Sequence, residues 1–226
     1  MNFLALCNRL KRKCRVSGDA LTAVTGQIEE YSRLIDWISE AWMDLQLARE
    51  DWNWMRSSAS CTTVLNQATY SPTTDFVLTD FGNWVRDSFR VYLTTTGTAG
   101  EQYLSYTDYD GWRDTYQFGP SRTAASMPTV MTITPADLIG VWPVPLAGYT
   151  ITGDYFKVAS ELSATTDTPA LPTQFHMAIV YRAMMYYGAS EAAAEIYQEG
   201  ETEYKRFMRM LVKNQLEGIT VCGALA

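Results

Sequence analysis

Residues 171–188 read LPTQFHMAIVYRAMMYYG, and they decide the fold when set beside residues 143–156, PVPLAGYTITGDYF, and beside Asp51-Trp52-Asn53-Trp54. Leu171-Pro172 starts a helix, because a proline in the first turn gives up an N–H that has no intrahelical acceptor. Phe175, Ile179, Arg182-Ala183 and Tyr186 then recur at helical spacing as far as Gly188. Ser190 is the expected cap of a further helix running through Ile196, Tyr204, Phe207, Met208 and Leu211 to about Leu216.

Upstream of this stretch the composition is different. Residues 57–162 are rich in Thr, Tyr, Val, Gly and Pro, with short alternating runs that predict strands over 60–65, 84–93, 129–134, 138–142 and 149–158. Earlier still, residues 3–15 read as a short helix ended by Ser17-Gly18, and Gly26 makes a second break. From Gln27 to about Asp51, Ile28, Tyr31, Ile35, Ile38, Trp42, Leu45 and Leu47 recur with a helical period, which predicts a long helix with one buried stripe. The expected class is α+β: residues 1–56 and 171–217 form one helical bundle, 57–170 an inserted β-rich lobe, and 218–226 a C-terminal tail. The two amphipathic regions each need a partner for their apolar stripe, and each can supply it to the other.

The 226 residues are 47% hydrophobic, enough for a real core. The formal charge of −7 argues against a duplex-binding module, whose affinity comes from Lys and Arg neutralising phosphates. One basic concentration stands out: Arg9, Lys11, Arg12, Lys13 and Arg15. It reads either as cations complementing the C-terminal dipole of a helix or as a phosphate-binding arm. Phe3, Leu4 and Leu6 precede these charges, the reverse of a secretory signal, so a chain that is cytosolic when made is expected. Residues 123–153 are nearly uncharged, but Pro128, Pro135, Pro143 and Pro145 interrupt them too often for a membrane helix. Cys7 and Cys14 would lie about 10 Å apart on one helix, beyond disulfide reach. With Cys61 and Cys222, which have no metal-like spacing, they are expected to be buried or idle thiols.

Catalytic patterns are missing. His176 is the single histidine, it lies in an apolar helix, and no nucleophile is near it in sequence. There is no His-Glu-x-x-His and no Cys-x-x-Cys, so neither a metal nor any other cofactor is expected. The run 96–100, Thr-Gly-Thr-Ala-Gly, lacks the Gly-Lys-Ser/Thr ending of a phosphate-binding loop. Asp108-Tyr109-Asp110-Gly111 lacks the later ligands of a calcium loop, and Tyr106, Tyr109, Trp112 and Tyr116 are spaced for a helical turn or two. Asp36, Glu40 and Asp44 stand four apart on one helix face, where like charges repel by a few tenths of a kcal/mol per pair. They form an acidic face, open to three readings: a general acid/base pair, a solvated face, or a stripe facing another subunit. The 14 Tyr and 7 Trp are interleaved with acids rather than bases, which favours core and interface packing over base stacking.

Three local features resemble the head-to-tail adaptor, or connector, proteins of tailed bacteriophages. These are the early amphipathic helix closing in Asp51-Trp52-Asn53-Trp54-Met55, the Trp142-Pro143-Val144-Pro145 strand end followed by residues 149–156, and Leu171-Pro172 leading into Tyr181-Arg182-Ala183. The resemblance covers most of residues 27–210 and implies a helical bundle with a β-rich insertion. It also implies a structural virion protein: a twelve-fold ring of identical copies at the head-to-tail interface, joining a portal protein to the tail or nozzle protein. Twelve copies at −7 each would carry about −84, so DNA would pass through the channel without specific binding. Competing classes are another virion building block, in the tail or baseplate, and a tail-associated hydrolase using paired carboxylates.

The tail, GITVCGALA, carries no charged side chain. A free solvated tail is normally polar, so these residues are expected to lie against something. The choices are the protein's own core, a frayed end, or, as the resemblance implies, a strand or hook that presents Ile219, Val221 and Leu225 to the portal or an adjacent subunit.

Overall fold

The fold is given by a computed structural model, which describes residues 1–215. The described chain divides into two compact units: residues 1–54 with 159–215, and residues 55–158. The class is α+β, with terminal helices bundled and a β-rich segment between them.

In the helical unit, α1 spans Phe3–Lys13 and α2 spans Glu29–Leu47. Asn2 caps α1, its side-chain oxygen accepting from Ala5 N at 3.0 Å. Glu29 and Glu30 place negative charge at the positive end of the α2 dipole. The buried stripe of α2 is Leu34, Ile35, Ile38, Ala41, Trp42 and Leu45. Two expected members of that stripe are solvent-facing, Ile28 at 75% exposure just before the helix and Leu47 at 69% in its last position. Leu34 takes their place. The tryptophan motif closes the helix: Trp52 is fully buried and its indole N–H donates to Leu45 O at 3.0 Å, while Trp54 packs 5.2 Å from Trp42.

In the lobe, the strands and one helix follow in order: β1 Arg56–Thr62, β2 Thr69–Tyr70, β3 Phe81–Trp84, β4 Arg90–Leu93, β5 Gln102–Tyr103, β6 Ser105–Tyr106, α3 Tyr109–Tyr116, β7 Ala125–Ser126, β8 Val130–Ile133, β9 Ile139–Trp142, β10 Val144–Pro145 and β11 Tyr149–Lys157. β11 is the central strand of a mixed-length antiparallel sheet. It pairs along one side with β1 and along the other with β4 and then β3, and β5 extends β4. Its burial alternates residue by residue, as a strand with one face on a core requires. A second sheet has the order β2-β9-β8-β6, and β7 pairs with β10 in parallel. One core serves both sheets, with Tyr70, Phe89, Val91, Met131, Ile139, Val141 and Ile151 fully buried in it.

The single strand expected over 84–93 is two strands. Between them residues 86–88 form a 3-10 turn, Val85 N donates to Asp154 O at 2.9 Å, and Ser88 Oγ accepts from Asp154 N at 2.8 Å. The chain steps out there so that the Phe89 ring can cross Gly153, where a Cβ would stand 2.5 Å from the ring. The strand expected over 60–65 begins and ends earlier, at Arg56 and Thr62. Asp108-Tyr109-Asp110-Gly111 is the capped start of α3, with Asp108 Oδ2 accepting from Gly111 N at 2.9 Å.

The chain returns to the helical unit at residue 159, earlier than composition suggests. Ser160 exchanges two hydrogen bonds with the buried Gln46 side chain, at 2.9 and 3.0 Å, and Phe3 N donates to Asp167 O at 2.7 Å. A 3-10 turn over Thr173–Phe175 leads into α4, Met177–Ser190, and α5 follows over Ala194–Gln215. α4 packs against α1, α2 and α5 and is buried on most of its circumference, as a helix apolar nearly all round must be. Gly188 lies inside α4 rather than ending it, and Ser190 is its last residue rather than the cap of the next helix. A Cβ at Gly188 would stand 2.7 Å from the Tyr197 backbone nitrogen, so the close approach of α5 requires glycine there.

Candidate functional site

Asp36, Glu40 and Asp44 share one face of α2, and with Ser39, Met43 and Glu161 they line an open depression of about 360 Å³. Asp36 and Glu40 are exposed. Asp44 differs from both. Its Oδ2 accepts from Arg182 Nε at 2.9 Å and Nη2 at 2.6 Å, and from the Tyr186 hydroxyl. Arg182 and Tyr186 are four apart on α4, so a single carboxylate oxygen on α2 gathers one turn of the neighbouring helix. The guanidinium also lies over the Tyr186 ring, 4.8 Å from its centroid, and near the Tyr204 ring of α5 at 5.8 Å. Burial, and then the hydrogen bond to Asp44, push the Tyr186 hydroxyl up to about 12. Burial works against the Arg182 charge, but the hydrogen bonds and charges of Asp44 and Tyr186 together outweigh it and raise the guanidinium pKa. This cluster braces α2, α4 and α5. Charge-assisted bonds of this kind are among the stronger polar contacts a protein makes.

The basic concentration in α1 is also divided. Lys11 is buried, and its ammonium donates to Gly18 O at 2.7 Å, to Asp19 O, and to the Tyr31 hydroxyl at 3.0 Å. Lys13 pairs with Glu199 at 2.7 Å, and Arg9, Arg12 and Arg15 are exposed. A lysine among four other cations gives no sequence signal that it alone will tie down the following loop. The partner of such a lysine is a backbone carbonyl, which every residue carries.

His176 is buried, with Met1 N 2.6 Å from Nδ1 and Leu171 O 3.1 Å from Nε2. Those partners assign the neutral form with the proton on Nε2. Burial lowers its pKa below the ordinary value, in part opposed by the Leu171 carbonyl. No nucleophile is among its hydrogen-bond partners. Among the described residues no group of three or more His, Cys, Asp or Glu is placed to hold a metal ion, and no helix is long and apolar enough to cross a membrane. Cys7, Cys14 and Cys61 are free, buried thiols pushed up to about 12 by burial. The tail positions Ile219, Val221 and Leu225 lie outside the described residues, as does Cys222.

An apolar rim in the lobe escaped the sequence reading. Asn66 N donates to Pro145 O at 3.0 Å and Thr63 N to Tyr149 O at 2.8 Å, so the two connecting segments run side by side. They leave Val64, Leu65 and Leu146 exposed at one edge. The signal was present as uncharged side chains in a turn, but single exposed apolar residues are ordinary and carry no weight until they are brought together.

The polar clusters described above hold elements of the fold in place. The model of the SU10 adaptor protein family matches residues 1–218, and the chain belongs to that family. It is a structural adaptor of the phage class, and no curated protein matches it in sequence.

Proposed function

We propose that the protein joins head to tail in a phage particle as a closed ring of twelve copies, seated between the portal protein and the tail or nozzle protein, with DNA passing through the ring. Family membership over residues 1–218 carries this reading. The charge supports it: at −7 per copy, with Asp36 and Glu40 solvent-facing, a channel wall would repel phosphate rather than bind it. An assembly role asks for surfaces, and the Val64, Leu65 and Leu146 rim is one that suits a partner. Assembly is templated on this reading, because acidic subunits repel one another and much of the interface energy comes from the neighbour.

Light scattering of the full chain with and without the portal protein tests the proposal. The expected result is a monomeric or loosely associated species alone and a closed ring on the portal. A stable dimer of unrelated symmetry in both samples overturns it. Negative-stain images of the mixture give the copy number.

A further inference from the structure

The lobe carries one long open strand edge. β1 pairs with β11 over all seven residues, and no described strand pairs along its other side. Thr63 N donates to Tyr149 O, which sets the parity of the ladder. Ser57, Ala59 and Cys61 turn their N–H and C=O toward β11, so those of Arg56, Ser58, Ser60 and Thr62 point outward. All four of these residues are exposed, and no hydrogen bond among the described residues reaches the backbone of Ser58, Ser60 or Thr62.

Proteins blunt such edges by shortening them, bulging them, or placing proline or charge on them. The other outer strands follow that rule: β2, β5 and β6 have two residues each, and β3 has four with a register shift opposite Phe156/Lys157. β1 has neither proline nor bulge, and its single charge, Arg56, is tied to Asp154 at 2.6 Å. An edge of this length left open is a template for another strand.

The incoming strand must satisfy the pattern of β1. Ala59 and Cys61 face the core and Ser58, Ser60 and Thr62 face solvent, so the partner needs apolar residues at one parity and no charge. Ile219-Thr220-Val221-Cys222 fits: two β-branched apolar residues alternate with threonine, and the stretch is uncharged. The chain after Gln215 reaches roughly 36 Å when extended, enough for a short strand and a linker. An edge on the lobe and a strand donor at the end of the helical unit are two different patches of one surface. Contacts between unlike patches are heterologous, and they close into a ring when the rotation between copies closes.

We propose that residues 219–222 of one copy add as a strand to the open edge of β1 in a neighbouring copy. This inference rests on the ring reading, and its test separates the two. A Ser58→Cys, Thr220→Cys pair in a Cys222→Ser background is oxidised in assembled particles and in the free full-length protein. The expected result is a ladder of intermolecular crosslinks in particles and its loss when Ser60→Pro is added. Proline at position 60 removes only an outward N–H, so the lobe should keep its melting temperature. Rings imaged without any crosslink overturn the strand addition and leave the ring standing. Crosslinks within single chains, or a ladder untouched by Ser60→Pro, also overturn it, and particles without rings overturn both readings.

Discussion

Arg182 on α4 delivers both Nε and Nη2 to a single oxygen of Asp44 on α2, at 2.9 and 2.6 Å. That bond singles Asp44 out from Asp36 and Glu40, which have the same spacing and the same helix face but, among the described residues, no cation within ion-pair distance. Asp44→Ala should therefore lower stability by about 1–2 kcal/mol, a range set by charge-assisted hydrogen bonds at a partly exposed site. Asp36→Ala and Glu40→Ala should change it by no more than about 0.5 kcal/mol, in the stabilising direction, because each relieves an i,i+4 repulsion. Urea denaturation of the three variants checks this. Equal losses at all three positions would remove the distinction.

Gly188 meets the Tyr197 backbone where α4 and α5 approach, and Gly148 has nothing within 4 Å of its virtual Cβ. Gly188→Ala should cost about 1–3 kcal/mol, because the clash is with backbone and cannot be relieved by rotating a side chain. Gly148→Ala should be close to neutral. Thermal melts followed by circular dichroism distinguish the two substitutions.

His176 should make stability fall below neutral pH. Its folded pKa is depressed, chiefly by burial, from an ordinary value of about 6.5. The folded chain therefore keeps the ring neutral while the unfolded chain takes up a proton. The contribution is complete above about pH 6.5 and is lost as pH falls toward the folded value. Urea midpoints measured between pH 8 and pH 5 should decline more steeply for the native chain than for His176→Gln, which retains a donor for Leu171 O but does not titrate. Parallel profiles would show that the imidazole does not gain a proton on unfolding.

The thiols of Cys7, Cys14 and Cys61 are buried and held far above neutral pH. Since the thiolate is the reactive form, a Cys222→Ser variant at pH 8 should show no fast-reacting thiol toward Ellman's reagent while folded and three after denaturation. Rapid labelling of any of them in the folded chain would mean that its burial is transient.

The adaptor class was legible from short motifs, and for a physical reason. The closing Trp52 and the Leu171-Pro172 start are local signals satisfied by neighbours in sequence, and the alternation in β11 is written in its own residues whichever strands it pairs with. Periodicity likewise located α2 and α4, because an apolar stripe recurs at the helical period whatever it packs against. The same signal misplaced Ile28 and Leu47, since at helix ends the period no longer says which side is covered.

What the sequence determined by itself is therefore the order of the long helices and the main strands, the acidity of the chain, and the absence of any familiar catalytic motif. The tertiary structure alone decided which of three like-charged carboxylates is braced, that Lys11 is buried among carbonyls, that Gly188 lies within a helix, and that the chain breaks between Trp84 and Arg90. Each of these depends on a partner that the fold brings in: Arg182 for Asp44, the Gly18 and Asp19 carbonyls for Lys11, Tyr197 for Gly188, Gly153 for Phe89. Local spacing can announce that a helix or strand exists, but the position of one element against another is set by packing, and only the folded chain brings those atoms within a few ångströms of each other.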